Sequence, residues 1–288
     1  MKYAITSAAV LIPLAMILFI PTFYQPVNLH AAIEYDTKKG DPSNSSPSSK
    51  DTENNHTIEK LLKTSMKPVG STLYIWGGAW NEEDTEGGIE SMTIGTSDNW
   101  KTFFDSQDAN YDFTDFAYQI HDGLDCSGFV GWTIYNTFYN ENEKDNLVVH
   151  SGNFGTFLSS RGYGEVIPSS EITSYQPGDI LFNNGHVYFV LGQYDDGSVL
   201  LVHSAPPGVR ISGTPTADGN LHSQAISSAD QLMKEHYPDF YNRYPPVSVD
   251  FSFLTDYDQF RWNESTMSDV NVMSSKAPED IISMLFPS

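Results

Sequence analysis

Within residues 125–139, apolar or thiol side chains recur at Cys126, Val130, Ile134 and Phe138. This four-residue step lines one face of a helix, and Phe129 widens the stripe. Asp125 suits the N-cap, because a short carboxylate accepts from the unpaired N–H groups of the first turn. The spacing therefore places Cys126 in that turn. Over residues 179–212 the pattern changes to short apolar runs at 180–182, 187–191, 199–202 and 209–211. Gly185, Asp195-Asp196-Gly197 and Pro206-Pro207-Gly208 punctuate them, which predicts an antiparallel meander. One helix followed by adjacent strands predicts an α+β class, with the Cys126 helix packed on an antiparallel β-sheet. No internal repeat of solenoid period is present.

Lys2 precedes an apolar run over residues 4–24, broken by Pro13 and Pro21, which predicts a signal peptide or membrane anchor over 1–30. Either places the remainder outside the cytoplasm, with the membrane touched only through this segment if it is uncleaved. Lipidation at a cleavage site needs a cysteine there, and the single cysteine is Cys126. Residues 31–56 are rich in Lys, Asp, Ser, Asn and Pro and read as a flexible polar tether, because they hold too little apolar surface to offset ordering entropy. Order is expected to resume at Thr57, a capping residue ahead of Ile58-Glu59-Lys60-Leu61-Leu62. Residues 57–288 are then one domain, with an acidic insertion at 79–122 and a C-terminal extension at 213–288. The aromatic and proline-rich stretch 241–262 is expected to pack in a core.

The net charge is −22 with only 15 Lys and Arg, which disfavours nucleic acid, since phosphate binders gain affinity by neutralising charge. The acidity concentrates in residues 82–125 as a solvated surface, and EF-hand spacing is absent, so no metal or other cofactor is expected. A single cysteine forbids an intrachain disulfide or a Cys-x-x-Cys site, so any role for Cys126 is solitary.

A thiol is nucleophilic as thiolate, and its usual pKa of about 8.5 can fall to roughly 3.5–7.5 at a helix N-terminus or beside an imidazolium. Cys126 has the first of these features. A base is supplied by His186, which follows Gly185 at the start of an apolar strand, and His203 on the next strand can orient its ring. The register matters. A two-residue Asp196-Gly197 turn leaves His186 four residues from the position opposite His203, about 13 Å at roughly 3.3 Å per residue, so a wider loop or a bulge is required. His30 and His56 lie in or beside the tether, and His121, His150, His222 and His236 are expected in loops.

These residues stand in five ordered motifs: Tyr74-Ile75-Trp76-Gly77-Gly78, Leu124-Asp125-Cys126-Ser127-Gly128-Phe129, Gln176-Pro177-Gly178-Asp179-Ile180-Leu181-Phe182, Gly185-His186-Val187 and Val202-His203-Ser204. Over roughly residues 73–211 they resemble NlpC/P60 domains. The resemblance implies a papain-like α+β fold and hydrolysis of amide bonds in peptidoglycan stem peptides, between a D-γ-glutamyl residue and the following diamino acid. It implies Cys126, His186 and His203 as a triad, Tyr74 at the oxyanion site, and Asp125, Ser127 and Trp76 as substrate contacts. The expected partner is the stem peptide alone, with the chain acting as a monomer. The long segment from Gly78 to Asp125 departs from the pattern and is either a wall of the cleft or an inert loop. Two rivals share the fold: an amidase or acyltransferase with another acceptor, and a non-catalytic wall-binding module.

Overall fold

Thr57 opens the first helix of the computed structural model, α1 (Ile58–Ser65): its hydroxyl accepts from the Lys60 N–H at 3.0 Å, as the sequence predicts. The structure describes residues 56–79, 95–138, 147, 149–245 and 248–287. These belong to one compact unit spanning residues 51–288. The expected leader, the tether up to residue 55 and positions 80–94 of the insertion lie outside the described residues. A second cap on α1 comes from far along the chain, where Asp269 accepts from the Ile58 and Glu59 N–H groups at 2.6 and 3.1 Å. The C-terminal region is thereby tied to the start of the domain.

The class is α+β, as predicted. Strands β1 (Gly164–Ile167), β2 (Ile180–Phe182), β3 (Val187–Gln193), β4 (Val199–Ala205), β5 (Gly208–Gly213) and β6 (Asp258–Trp262) form one antiparallel sheet in the order β1-β6-β2-β3-β4-β5. The expected meander is β2 to β5. The apolar runs predict neither β1 nor β6, and residues 213–288 are no appendage: β6 enters between β1 and β2, inside the sheet. Its sequence Asp-Gln-Phe-Arg-Trp hides this because its polar residues are committed internally. Arg261 binds Asp179 through Nη2 at 2.8 Å and Nε at 3.1 Å, and Gln259 donates to the same carboxylate. The Asp of the Gln-Pro-Gly-Asp motif is thus buried against the C-terminal strand. Phe260, Trp262, Tyr244 and Tyr257 are buried, so the aromatic stretch is core.

Strands β2 to β4 read as continuous apolar runs because both faces are covered. One face carries Phe189, Leu191, Leu200 and Val202 in the main core. The other carries Leu181, Tyr188, Val190 and Leu201 in a second core, closed by Tyr257, Phe253 and Leu254.

The helix of the nucleophile, α3 (Cys126–Phe138), starts and ends where predicted, but it has no solvent face: every residue except Asn136 is buried. The one-sided stripe is corrected by small residues elsewhere on the helix that admit close neighbours. A Cβ on Gly128 would lie 2.2 Å from the Gly78 carbonyl oxygen. α3 packs between α1 and strands β3 and β4. The described part of the insertion also reaches this core. Its helix α2 (Asp98–Ser106) buries Trp100 and Phe104, with the Trp100 ring edge-on to Trp132 at 5.5 Å. His236 ends a helix (Gln224–His236) instead of lying in a loop.

Candidate active site

Asp125 fixes the start of α3. Its Oδ1 accepts from the Gly128 N–H at 2.6 Å and the Ser127 hydroxyl at 2.8 Å, the N-cap arrangement its position predicts. The Gly77 N–H reaches the same carboxylate, with Gly77 at φ +80° where glycine is favoured. Gly78 then lies so close that a Cβ would meet the Asp125 nitrogen at 2.9 Å. The two glycines of the Tyr74 motif therefore bring its backbone against the helix end, and Tyr74 beside the thiol. Burial pushes Asp125 up to about 6, although its hydrogen bonds pull the other way.

Tyr74, Trp76, Asp125, Cys126 and Ser127 line one cleft of about 510 Å³. Asn184 and Gly185, immediately before His186, line it too, and the backbone N–H of Val187, immediately after, contacts the Cys126 sulfur. His186 Nε2 lies 2.9 Å from His203 Nδ1, and His203 Nε2 lies 3.0 Å from Ser212 Oγ. The predicted bulge is present: β3 pairs Val190 with Leu201 and Gly192 with Leu200, so Leu191 is the extra residue. The thiol makes no hydrogen bond to either imidazole in this resting geometry, a common looseness before substrate binds.

Electrostatics correct one expectation. Burial, then the Asp125 carboxylate, pushes the Cys126 thiol up to about 12; the backbone N–H groups of Ser127, Val187 and Cys126 oppose this and lose. Burial, then the Arg210 guanidinium, lowers His186 to about 4. His203 is held well below its ordinary value by burial, then by His186 and Arg210. The resting site is a neutral thiol and neutral imidazoles, not the preformed thiolate that the helix end alone suggests. Burial, Cys126 and Asp125 together raise the Tyr74 hydroxyl, so it stays a proton donor.

Sequence reasoning misses several residues. Ser212 and Arg210 lie on β5 beside His203, and only the strand register reveals them: His203 pairs with Arg210, and Leu201 with Ser212. Arg210 is largely buried, its Nε has no hydrogen-bond partner, and no carboxylate pairs with it among the described residues. His150, read as a bystander, lines the cleft and accepts from the Gly152 N–H through Nδ1. Tyr118 resolves the alternatives for the insertion: it lines the cleft, donates its N–H to the Trp76 carbonyl at 2.7 Å and lays its ring on Gly77. Among the described residues of the insertion, Tyr118 thus forms part of the cleft wall, while α2 packs in the core. Trp76 and Tyr118 are 53% and 47% exposed there. Among the described residues no group of three or more His, Cys, Asp or Glu side chains is arranged to hold a metal ion.

Comparison with family models, characterised proteins and solved structures finds no match for this chain.

Proposed function

We propose that this chain is an exported cysteine peptidase of the NlpC/P60 type, on a papain-like fold, that hydrolyses peptidoglycan stem peptides between a D-γ-glutamyl residue and the following diamino acid. The observation that carries the reading is the 2.9 Å contact of His186 Nε2 with His203 Nδ1. It occupies one ring nitrogen and leaves Nδ1 for the thiol, on a residue whose chain neighbour Val187 touches the Cys126 sulfur. A binding module has no use for an oriented imidazole beside a solitary cysteine.

Because thiol and imidazole are both neutral at rest, the proton moves as the sulfur attacks. The Cys126 proton passes to His186 Nδ1 while Sγ bonds the amide carbon. The oxyanion takes hydrogen bonds from N–H groups at the start of α3 and from the Tyr74 hydroxyl. Collapse breaks the C–N bond, and His186 returns its proton to the leaving amine. A water, deprotonated by His186, then cleaves the thioester, releasing a carboxylate and restoring the thiol. The apolar N-terminal segment supports export to the compartment where this substrate occurs.

The test is digestion of purified cell wall with the full chain, with mass spectrometry of the soluble products. New amine and D-glutamyl carboxyl termini are expected from the wild type, and a loss of at least about 10³-fold in Cys126→Ala. Equal release by both proteins, or products cut elsewhere, overturns the reading.

A further inference from the structure

We propose that Ser212 is a positioning residue: its hydroxyl oxygen is the fixed end of a hydrogen-bonded chain, Ser212 to His203 to His186, that sets which ring nitrogen of His186 carries the proton. The consequence for catalysis rests on the peptidase reading; the proton positions do not.

Two distances define the chain, 3.0 Å from Ser212 Oγ to His203 Nε2 and 2.9 Å from His203 Nδ1 to His186 Nε2. The sheet dictates it. His203 stands opposite Arg210 across β4 and β5, so Ser212, two residues along β5, shares its face and is its diagonal neighbour. Ser212 and His203 are buried, so neither ring nitrogen of His203 turns to solvent for another partner. Burial, and after it the nearby Arg210 charge, disfavours a proton on either imidazole, so each ring is neutral and carries one N–H.

Two arrangements satisfy both contacts. In the first, Ser212 Oγ accepts from His203 Nε2–H, His203 Nδ1 accepts from His186 Nε2–H, and His186 Nδ1 keeps a lone pair. In the second, every direction reverses, and His186 Nδ1 already holds a proton and cannot take one from the thiol. The first places both rings in the Nε2–H form, the tautomer that free histidine favours. It alone provides a base, and it also holds the imidazolium once formed, because Nε2–H continues to donate to His203 Nδ1.

Ser212→Ala removes the acceptor for a buried N–H. An unsatisfied donor costs more than an unsatisfied lone pair, so the pair is driven toward the second arrangement.

The test uses the full chain with ¹⁵N-labelled histidine, without substrate, and reads the tautomers from long-range ¹H–¹⁵N correlations. The His186 and His203 signals are assigned by single replacements. Nε2–H is expected on both rings in the wild type, and a population of Nδ1–H on both in Ser212→Ala, with Ser212→Thr restoring the wild-type pattern. On wall peptides, Ser212→Ala is expected to lower kcat about tenfold with KM unchanged. A wild type carrying Nδ1–H on His203, or tautomers unchanged by Ser212→Ala, overturns the proposal. A wild type with the expected tautomers and no hydrolysis overturns the peptidase reading and leaves Ser212 in its role.

Discussion

His186 meets His203 diagonally, and it does so because Leu191 is squeezed out of the β3–β4 ladder. Past the bulge Phe189 pairs with Val202, so His203 faces Tyr188 and shares its side of the sheet with His186, two residues further back. Had the ladder run regularly from Gln193 and Val199, Phe189 would face His203 and His186 would project to the other side. One extra residue therefore decides whether the pair exists. The cover on that side comes from Phe253, whose ring lies 5.5 and 5.9 Å from the two imidazoles.

An orienting residue is partly dispensable, so His203→Ala is expected to lower kcat about 10²-fold, against at least about 10³-fold for Cys126→Ala. His203→Gln, which keeps a polar group near His186, should fall between wild type and His203→Ala. Initial rates on wall peptides decide this, with thermal melts to confirm folding. A His203→Ala loss equal to that of Cys126→Ala would mean that His203 itself takes part in proton transfer.

Reactivity of the thiol provides a pH test. With Cys126 pushed up to about 12, its thiolate fraction at neutral pH is small and grows about tenfold per pH unit into the alkaline range. Iodoacetamide labelling is expected to be slower at pH 7 than that of an exposed cysteine and to keep rising above pH 9. Asp125→Asn removes the second-largest cause of the shift and should speed labelling above about pH 6, where the Asp125 carboxylate is charged. A labelling rate that is fast and flat from pH 6 to 8 would instead reveal a preformed ion pair.

Local patterns carried the helix of Cys126, its Asp125 cap, the four strands of the meander and the need for a bulge, because each is fixed by neighbours in sequence. What escaped the sequence depends on distant partners. β6 reads as polar because Gln259 and Arg261 are spoken for by Asp179, some 80 residues away. Ser212 becomes visible only once β4 and β5 are in register. The thiol was misjudged for a related reason: the helix end is a local feature, whereas burial of Cys126 is a property of the whole fold.

The Asp179–Arg261 pair tests whether the C-terminal region is integral. The carboxylate is almost fully buried and the guanidinium mostly so. Removing one partner leaves an uncompensated charge, so Asp179→Ala or Arg261→Ala is expected to cost about 3–5 kcal/mol. The double variant should be more stable than the sum of the two losses implies. Truncation after residue 213 also removes β6 from mid-sheet and is expected to yield no cooperative unfolding transition. Additive losses, or a folded truncated chain, would contradict the arrangement.

The neutral imidazoles also tie stability to pH. His186 is lowered to about 4 in the fold from an unfolded value near 6.5, and His203 shifts in the same direction. Below about 6.5 the unfolded chain binds protons that the folded site refuses, so unfolding gains as pH falls. The contribution is complete above pH 6.5 and is lost as pH drops through about 4. Asp125 works in the opposite sense: raised to about 6, it holds a proton in the fold that the unfolded chain releases near 4, so its contribution is complete below about 4 and is lost as pH rises through about 6. The wild-type melting curve therefore mixes the two effects, and the informative quantity is a difference between proteins. His203→Gln cannot take up a proton, so it lacks one acid-sensitive group. Its Tm should lie below that of the wild type at pH 7, where it loses the contacts of the buried ring, and the gap should narrow steadily from pH 6.5 to pH 4. A gap that stays constant over that range would mean that His203 is not held neutral by the fold.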